Sequence, residues 1–342
     1  MRQRIDYIVF LRVFCTICVL IDHVPLVASH VFASQITSTD FFATKAIVHL
    51  VHFAVPVFVM ITGALLLDPS RPVPFEKALK KYAWRMVVVL LTVGWFFAMM
   101  EYYSTYKEIS FSLFFIPFLN VLTGNTWTHM WYLYMLVGLY LIIPFLKTIV
   151  ENSQKNVIAL IVILFIFTSA MPAVNVFFGF KLGVEFPISS CYVLYLLLGY
   201  VLSKSEFKMK CVPVIVIVIL SVFLLFCCYG EKFGGEWTEK LNFFDTYRSP
   251  IEVLIASALF LFAKNISYRS MCDLWIIKVL DNNSFGIYVF HMLWINILYK
   301  VLKINPFDYG LFMLIPVLIG VLVLSVLTTE IFRRLPLVGK FI

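Results

Sequence analysis

The stretch Tyr7–Ala28, YIVFLRVFCTICVLIDHVPLVA, carries Arg12 and His23 inside a run otherwise apolar enough to cross a membrane. An α-helix turns about 100° per residue, so eleven positions return His23 to within roughly 20° of the Arg12 face. At ~1.5 Å per residue the two lie about 16 Å apart along the axis, roughly half a bilayer core. Thr16 and Val19 fall on the same stripe. Ionisable groups at membrane depth are costly and mark working surfaces. Asp22, about 100° from His23 on the helix, is expected not to pair with it.

The rest of the chain has the same character. Of its 342 residues 62% are hydrophobic and 13% charged, against about 45–50% and 25% in soluble domains. The fold class is therefore all-α, a polytopic membrane protein, with one domain over 1–342 and no internal repeat. Apolar runs place about ten transmembrane helices near 5–28, 41–67, 82–104, 129–149, 156–173, 187–203, 211–229, 248–264, 283–303 and 308–332. A further piece at 110–123, with a central proline, reads as re-entrant or interfacial. The first run is too long for a signal-peptide core and lacks a small-residue cleavage site, so it reads as a retained span.

With the N-terminus placed in the cytoplasm, eighteen Lys and Arg fall inside and seven outside, while Arg12 and Lys45 lie within spans. Both termini are thus expected to be cytoplasmic in a multi-pass protein of the cell membrane. The net charge of +8 belongs to cytoplasmic loops facing membrane lipid rather than to nucleic-acid binding. The seven cysteines show no metal-type spacing and read as small buried hydrophobes, and no metal is expected.

Four other stretches stand out. PVFVMITGALLL (Pro56–Leu67) removes a backbone donor and thins the helix at Thr62-Gly63, predicting a kink or a close helix contact. FEKALKKYAWR (Phe75–Arg85) sets Lys77, Lys80, Lys81 and Arg85 largely on one face at the cytoplasmic surface. That face suits lipid headgroups or a phosphorylated ligand, with Arg85 able to fork onto phosphate. THMWYLYMLVGLYLIIPFL (Thr128–Leu146) brings His129, Trp131 and Tyr132 in from the outer face, where ordinary aromatic anchors also belong. DNNSFGIYVFHMLW (Asp281–Trp294) lines up Ser284, Tyr288 and His291 on one face near mid-membrane. The outer loop at 230–250 adds Glu231, Glu236, Glu239 and Asp245 beside Trp237, Phe243, Phe244 and Tyr247. Carboxylates among aromatics suit a sugar-like ligand, or simply a solvated cover.

Arg12 and His23 with ten residues between, PVFVMITGALLL, HMWYLYMLVGLYLIIP and SFGIYVFH occur in the order in which similar stretches occur in the acyltransferase-3 family of integral-membrane acyltransferases. The chain resembles that family throughout, in a short form similar to surface-polysaccharide O-acetyltransferases. The resemblance implies transfer of an acyl group, commonly acetyl, from cytosolic acyl-CoA to an extracytoplasmic acceptor such as a hydroxyl of a cell-surface polysaccharide or its lipid-linked precursor. It makes His23 the catalytic histidine and Arg12 its partner, and sets Arg85 among the residues engaging the cofactor, where Lys80 and Lys81 also lie. His129, Trp131, Ser284, Tyr288 and His291 are candidates for the pore and acceptor lining. A histidine suits the chemistry, because an attacking hydroxyl must lose its proton near neutral pH. The competing reading is a transporter or exporter using the same intramembrane His and Arg.

Overall fold

A backbone in hydrocarbon must satisfy its own N–H and C=O groups, and here it does so as helix. The computed structural model describes residues 5–181, 183–184, 186–207, 211–230, 235–336 and 339–342, and no strand occurs among them. Arg2, Arg4, Lys208, Lys210, Glu231 and Lys232 lie outside the described residues, as do the side chains of Cys228, Glu236, Trp237 and Glu239.

Among the described residues eight helices are long and apolar enough to cross a membrane. They are α1 (Asp6–Val31), α2 (Ser38–Leu66), α3 (Phe75–Tyr106), α5 (Thr128–Asn152), α6 (Gln154–Phe178), α9 (Lys240–Lys264), α10 (Trp275–Val301) and α11 (Leu311–Arg333). Three further apolar helices complete the set: α4 (Ser112–Leu122), α7 (Cys191–Lys204) and α8 (Cys211–Gly230). The polytopic all-α fold is as expected from the sequence. The expected spans at 187–203 and 211–229 correspond to α7 and α8; at ~1.5 Å per residue α7 reaches about 21 Å, short of a ~30 Å core, whereas the 20 residues of α8 reach about 30 Å. The piece at 110–123 is the separate helix α4, with Pro117 inside it.

α1 is the organising element. It packs against α2, α9, α10 and α11, and 56% of its apolar window is buried, more than in any other span. α6 and α11, at 22% and 28%, turn most of their apolar surface outward, as lipid-facing helices do. The close contact foreseen at Thr62-Gly63 is made between α2 and α7. A methyl on Gly63 would overlap the Leu196 carbonyl, and one on Gly199 would overlap the Met60 backbone. Two glycines thus let the helix backbones touch.

α2 is interrupted by a turn at His52–Phe53. Pro56 lacks the N–H that would bond the His52 carbonyl, so the ladder breaks there. α3 contains two π-helical stretches, Ala78–Ala83 and Leu90–Gly94. Lys77 and Arg85 would stand about 80° apart on a regular helix. The wider i→i+5 turn between them narrows that angle and brings both onto the wall described next.

Candidate active site

One cavity of about 650 Å³ runs through the bundle. Its wall is chemically divided.

At one end lie Arg12, Arg71, Lys77, Arg85 and Arg333, with Asp281 as the single carboxylate among them. Arg12 Nη1 donates to Asp281 Oδ1 at 2.6 Å, locking α1 to α10. Ser284, a turn further along α10, lines the cavity and donates to the Asp281 carbonyl at 3.0 Å. Arg85 lies 4.5 Å over the Phe285 ring, donating Nε to the Phe341 carbonyl at 2.8 Å and Nη2 to Ile342 at 3.1 Å. Lys77 Nζ donates to the Pro72 carbonyl at 2.6 Å. Arg333 donates to Asn283 Oδ1 at 2.9 Å and to the Asn282 carbonyl. Arg333 also pairs with Glu330 at 3.2 Å, so Arg12 and Arg333 each have a carboxylate partner, whereas Lys77 and Arg85 are held by backbone carbonyl oxygens.

At the other end lie Asp22, His23, His52, His129, Trp131 and Tyr247. His23 Nδ1 is 2.9 Å from the Val19 carbonyl. A carbonyl only accepts, so Nδ1 carries the proton and Nε2 keeps its lone pair. Asp22 Oδ2 also lies 3.2 Å from His23 Nδ1, so the two do meet, contrary to the helical-phase expectation. Their side chains curl toward each other around the helix instead of projecting radially.

His129 and His291 back this arrangement. The His291 ring lies 5.0 Å from that of His23 and 5.2 Å from that of His129, edge-on to both. His291 is fully buried and directs Nδ1 at the Tyr288 carbonyl, 2.6 Å away. His129 directs Nε2 at the Val289 carbonyl, 3.2 Å away, and the Tyr288 hydroxyl donates to the His129 carbonyl. By the same logic His291 Nε2 and His129 Nδ1 are bare acceptors, and both are buried without a hydrogen-bond partner. Asp22 Oδ1 is buried in the same condition.

The expected residues are therefore distributed unevenly. Arg12, His23, Arg85, His129, Trp131, Ser284 and Tyr288 share one wall. His291 sits directly behind His23 and His129, off the wall itself. Lys80 and Lys81 stand outside: Lys80 is exposed and pairs with Glu76 at 2.8 Å, and Lys81 lies 6.0 Å over Tyr82. Lys77, Arg71 and Arg333 take the places at the basic end. Sequence reasoning missed Asp281, Arg333 and His52. Extending the Ser284, Tyr288, His291 stripe back by one turn would have reached Asp281. The pair His49 and His52, three residues apart and four before Pro56, was the available signal for the third.

A family model described as an acyltransferase domain, of the acyltransferase-3 type, matches residues 5–331. No curated protein and no solved structure matches this chain.

Proposed function

The chain belongs to the acyltransferase-3 family and is a multi-pass membrane acyltransferase, and on that premise we infer that it moves an acetyl group from cytosolic acetyl-CoA, through the membrane, to a hydroxyl of an extracytoplasmic glycan. The observation that carries this reading is the division of the cavity, with five cations at one end and, at the other, a histidine whose Nδ1 faces a carbonyl and leaves Nε2 free. A thioester donor of this class bears phosphates on a long arm. Arg71, Lys77, Arg85 and Arg333 suit those phosphates, because guanidinium and ammonium groups give charge-assisted hydrogen bonds. The residues fit such a group. With this basic end at the cytoplasm, both termini are cytoplasmic, in agreement with the eighteen-to-seven Lys and Arg count in the sequence.

At the opposite end His23 serves as the general base. Its Nε2 takes the acceptor proton while the acceptor oxygen bonds to the acyl carbon. The carbon–sulfur bond then breaks, and the proton held on Nε2 passes to the departing thiolate. Asp22, 3.2 Å from Nδ1, stabilises the imidazolium that exists between these two transfers. The bare acceptor nitrogens of His129 and His291 lie close enough to favour that same charge. Arg12, clamped to Asp281 at the basic end, orients the arm of the donor.

The test is transfer of labelled acetyl from acetyl-CoA to surface glycan in membranes bearing wild-type or His23→Ala protein. The account expects loss of transfer with the protein still folded. Full retained activity would sink it.

A further inference from the structure

The acyl transfer described above uses His23 but gives no role to His52, Trp131 and Tyr247, which lie at the same end of the cavity and come from three separate elements. His52, at the turn that breaks α2, lines the cavity. Its ring stacks on Tyr247, with centroids 4.2 Å apart and planes within 22°. Tyr247 is pinned from behind, because the fully buried Tyr195 donates its hydroxyl to the Tyr247 carbonyl at 2.8 Å. Asp245, two residues earlier, faces His52 Nδ1 at 3.7 Å and His49 Nδ1 at 3.5 Å. Trp131 completes the wall, its ring 5.8 Å from Tyr247 and inclined by 30°.

Each feature has a chemical consequence. The Asp245 carboxylate, beyond hydrogen-bond reach at 3.7 Å, still favours by its charge a proton on the nearer Nδ1, which leaves Nε2 of His52 as an acceptor. A hydroxyl is the donor that such a nitrogen takes most simply. Nearly parallel aromatic faces offer a flat, apolar support to a ring whose C–H bonds point at them. His52 also shares the cavity with His23, whose Nε2 is the proton acceptor of the reaction. A ligand resting on Trp131 beside the His52–Tyr247 stack, with one hydroxyl on His52, can therefore offer a neighbouring hydroxyl to His23.

We propose that His52, Tyr247 and Trp131, with Asp245 behind His52, form the acceptor subsite, and that it takes a neutral, hydroxyl-bearing ring of the sugar type. The proposal rests on the acyltransferase reading above and adds the residues that choose the acceptor. His52 touches the substrate; Asp245 acts through His52 and is a positioning residue.

The experiment uses the full-length protein in lipid nanodiscs with labelled acetyl-CoA. Two acceptor pools are offered at equal hydroxyl concentration. One holds methyl glycosides of a hexose, an N-acetylhexosamine and a deoxyhexose. The other holds short aliphatic alcohols and serine- and threonine-containing peptides. Label is expected in the glycosides. His52→Phe keeps the stacked ring but removes the nitrogen, so it should raise the acceptor KM about threefold to tenfold while the acetyl-CoA KM stays put. His52→Gln, which restores an acceptor atom, should recover part of that loss, and Tyr247→Leu should raise the acceptor KM by a similar factor. Asp245→Asn should act in the same direction but more weakly. Label in the alcohols or peptides alone, label in neither pool while acetyl-CoA still binds, or variants that transfer like wild type would each overturn the subsite. Failure of the wild-type protein to bind acetyl-CoA would instead overturn the donor reading on which it rests.

Discussion

The two ends of the cavity favour opposite halves of the hydrogen bond. The Arg12, Arg71, Lys77, Arg85 and Arg333 end is rich in donors, with backbone carbonyls and the carboxylates of Asp281 and Glu330 holding them in place. The His23 end gathers acceptors beside the hydroxyl and indole donors of Tyr247 and Trp131: a histidine with a free Nε2, two buried histidine nitrogens and a buried carboxylate oxygen, the last three without partners. A buried acceptor left unpaired costs about 1–3 kcal/mol. Three beside one reactive histidine is therefore a considerable expense, and it is recovered when a hydroxyl or a proton arrives. The donor end asks for an anion and the acceptor end asks for O–H. The difference gives the cavity a direction.

The comparison breaks first at His23. Removing it should lower acyl transfer by about 10²–10⁴-fold, measured with labelled acetyl-CoA, while acetyl-CoA binding is retained because the donor end is intact. A large loss of binding would mean that the two ends are not separate. Arg85→Ala does the reverse. Loss of a charged hydrogen bond, worth about 1.5–3 kcal/mol, should raise the acetyl-CoA KM roughly 10–100-fold and leave the acceptor KM near wild type.

A smaller effect concerns what steadies the basic end. Asp68 follows α2 and accepts from Lys204 at 3.0 Å and from Ser70, while its carbonyl takes Lys147 Nζ at 2.6 Å. Burial pushes its carboxyl up, but the Lys204 and Ser70 hydrogen bonds outweigh this and hold it below the usual carboxylate range. A depressed folded value means that the ionised form stabilises the fold above the ordinary carboxylate pKa, with the gain lost as pH falls through the folded value. Asp68→Asn should therefore cost at most about 1 kcal/mol at neutral pH, because the pair is largely solvated. Thermal melts in detergent should converge with wild type as the pH drops below about 4. The least effect is expected at Lys80, exposed and paired with Glu76. Lys80→Ala should change the acetyl-CoA KM by less than about twofold, and a change as large as that of Arg85→Ala would redraw the basic end.

Much of this could be read from the sequence because it is local. The Arg12–His23 face follows from helical arithmetic, the Gly63 contact from a missing side chain, and the Ser284–Tyr288–His291 stripe from spacing. What escaped is of two kinds. Asp281 meets Arg12 across 269 residues of sequence, and no periodicity reports a partner on another helix. Lys80 and Lys81 were grouped with Arg85 on the assumption of a regular helix, and the π-helical stretch Ala78–Ala83 changes the phase of that face. His52 was hidden for a related reason, since it stands where Pro56 breaks α2 rather than on a continuous stripe. The Asp22–His23 contact depends on side-chain rotamers, which helix phase alone does not determine.

The central claim is that donor and acceptor enter the cavity from opposite faces of the membrane. Sealed inside-out vesicles carrying the protein, with membrane-impermeant labelled acetyl-CoA outside and methyl glycosides trapped in the lumen, test it directly. The account predicts label on the lumenal glycosides, lost in His23→Ala vesicles. Label confined to glycosides added on the same side as acetyl-CoA would contradict it.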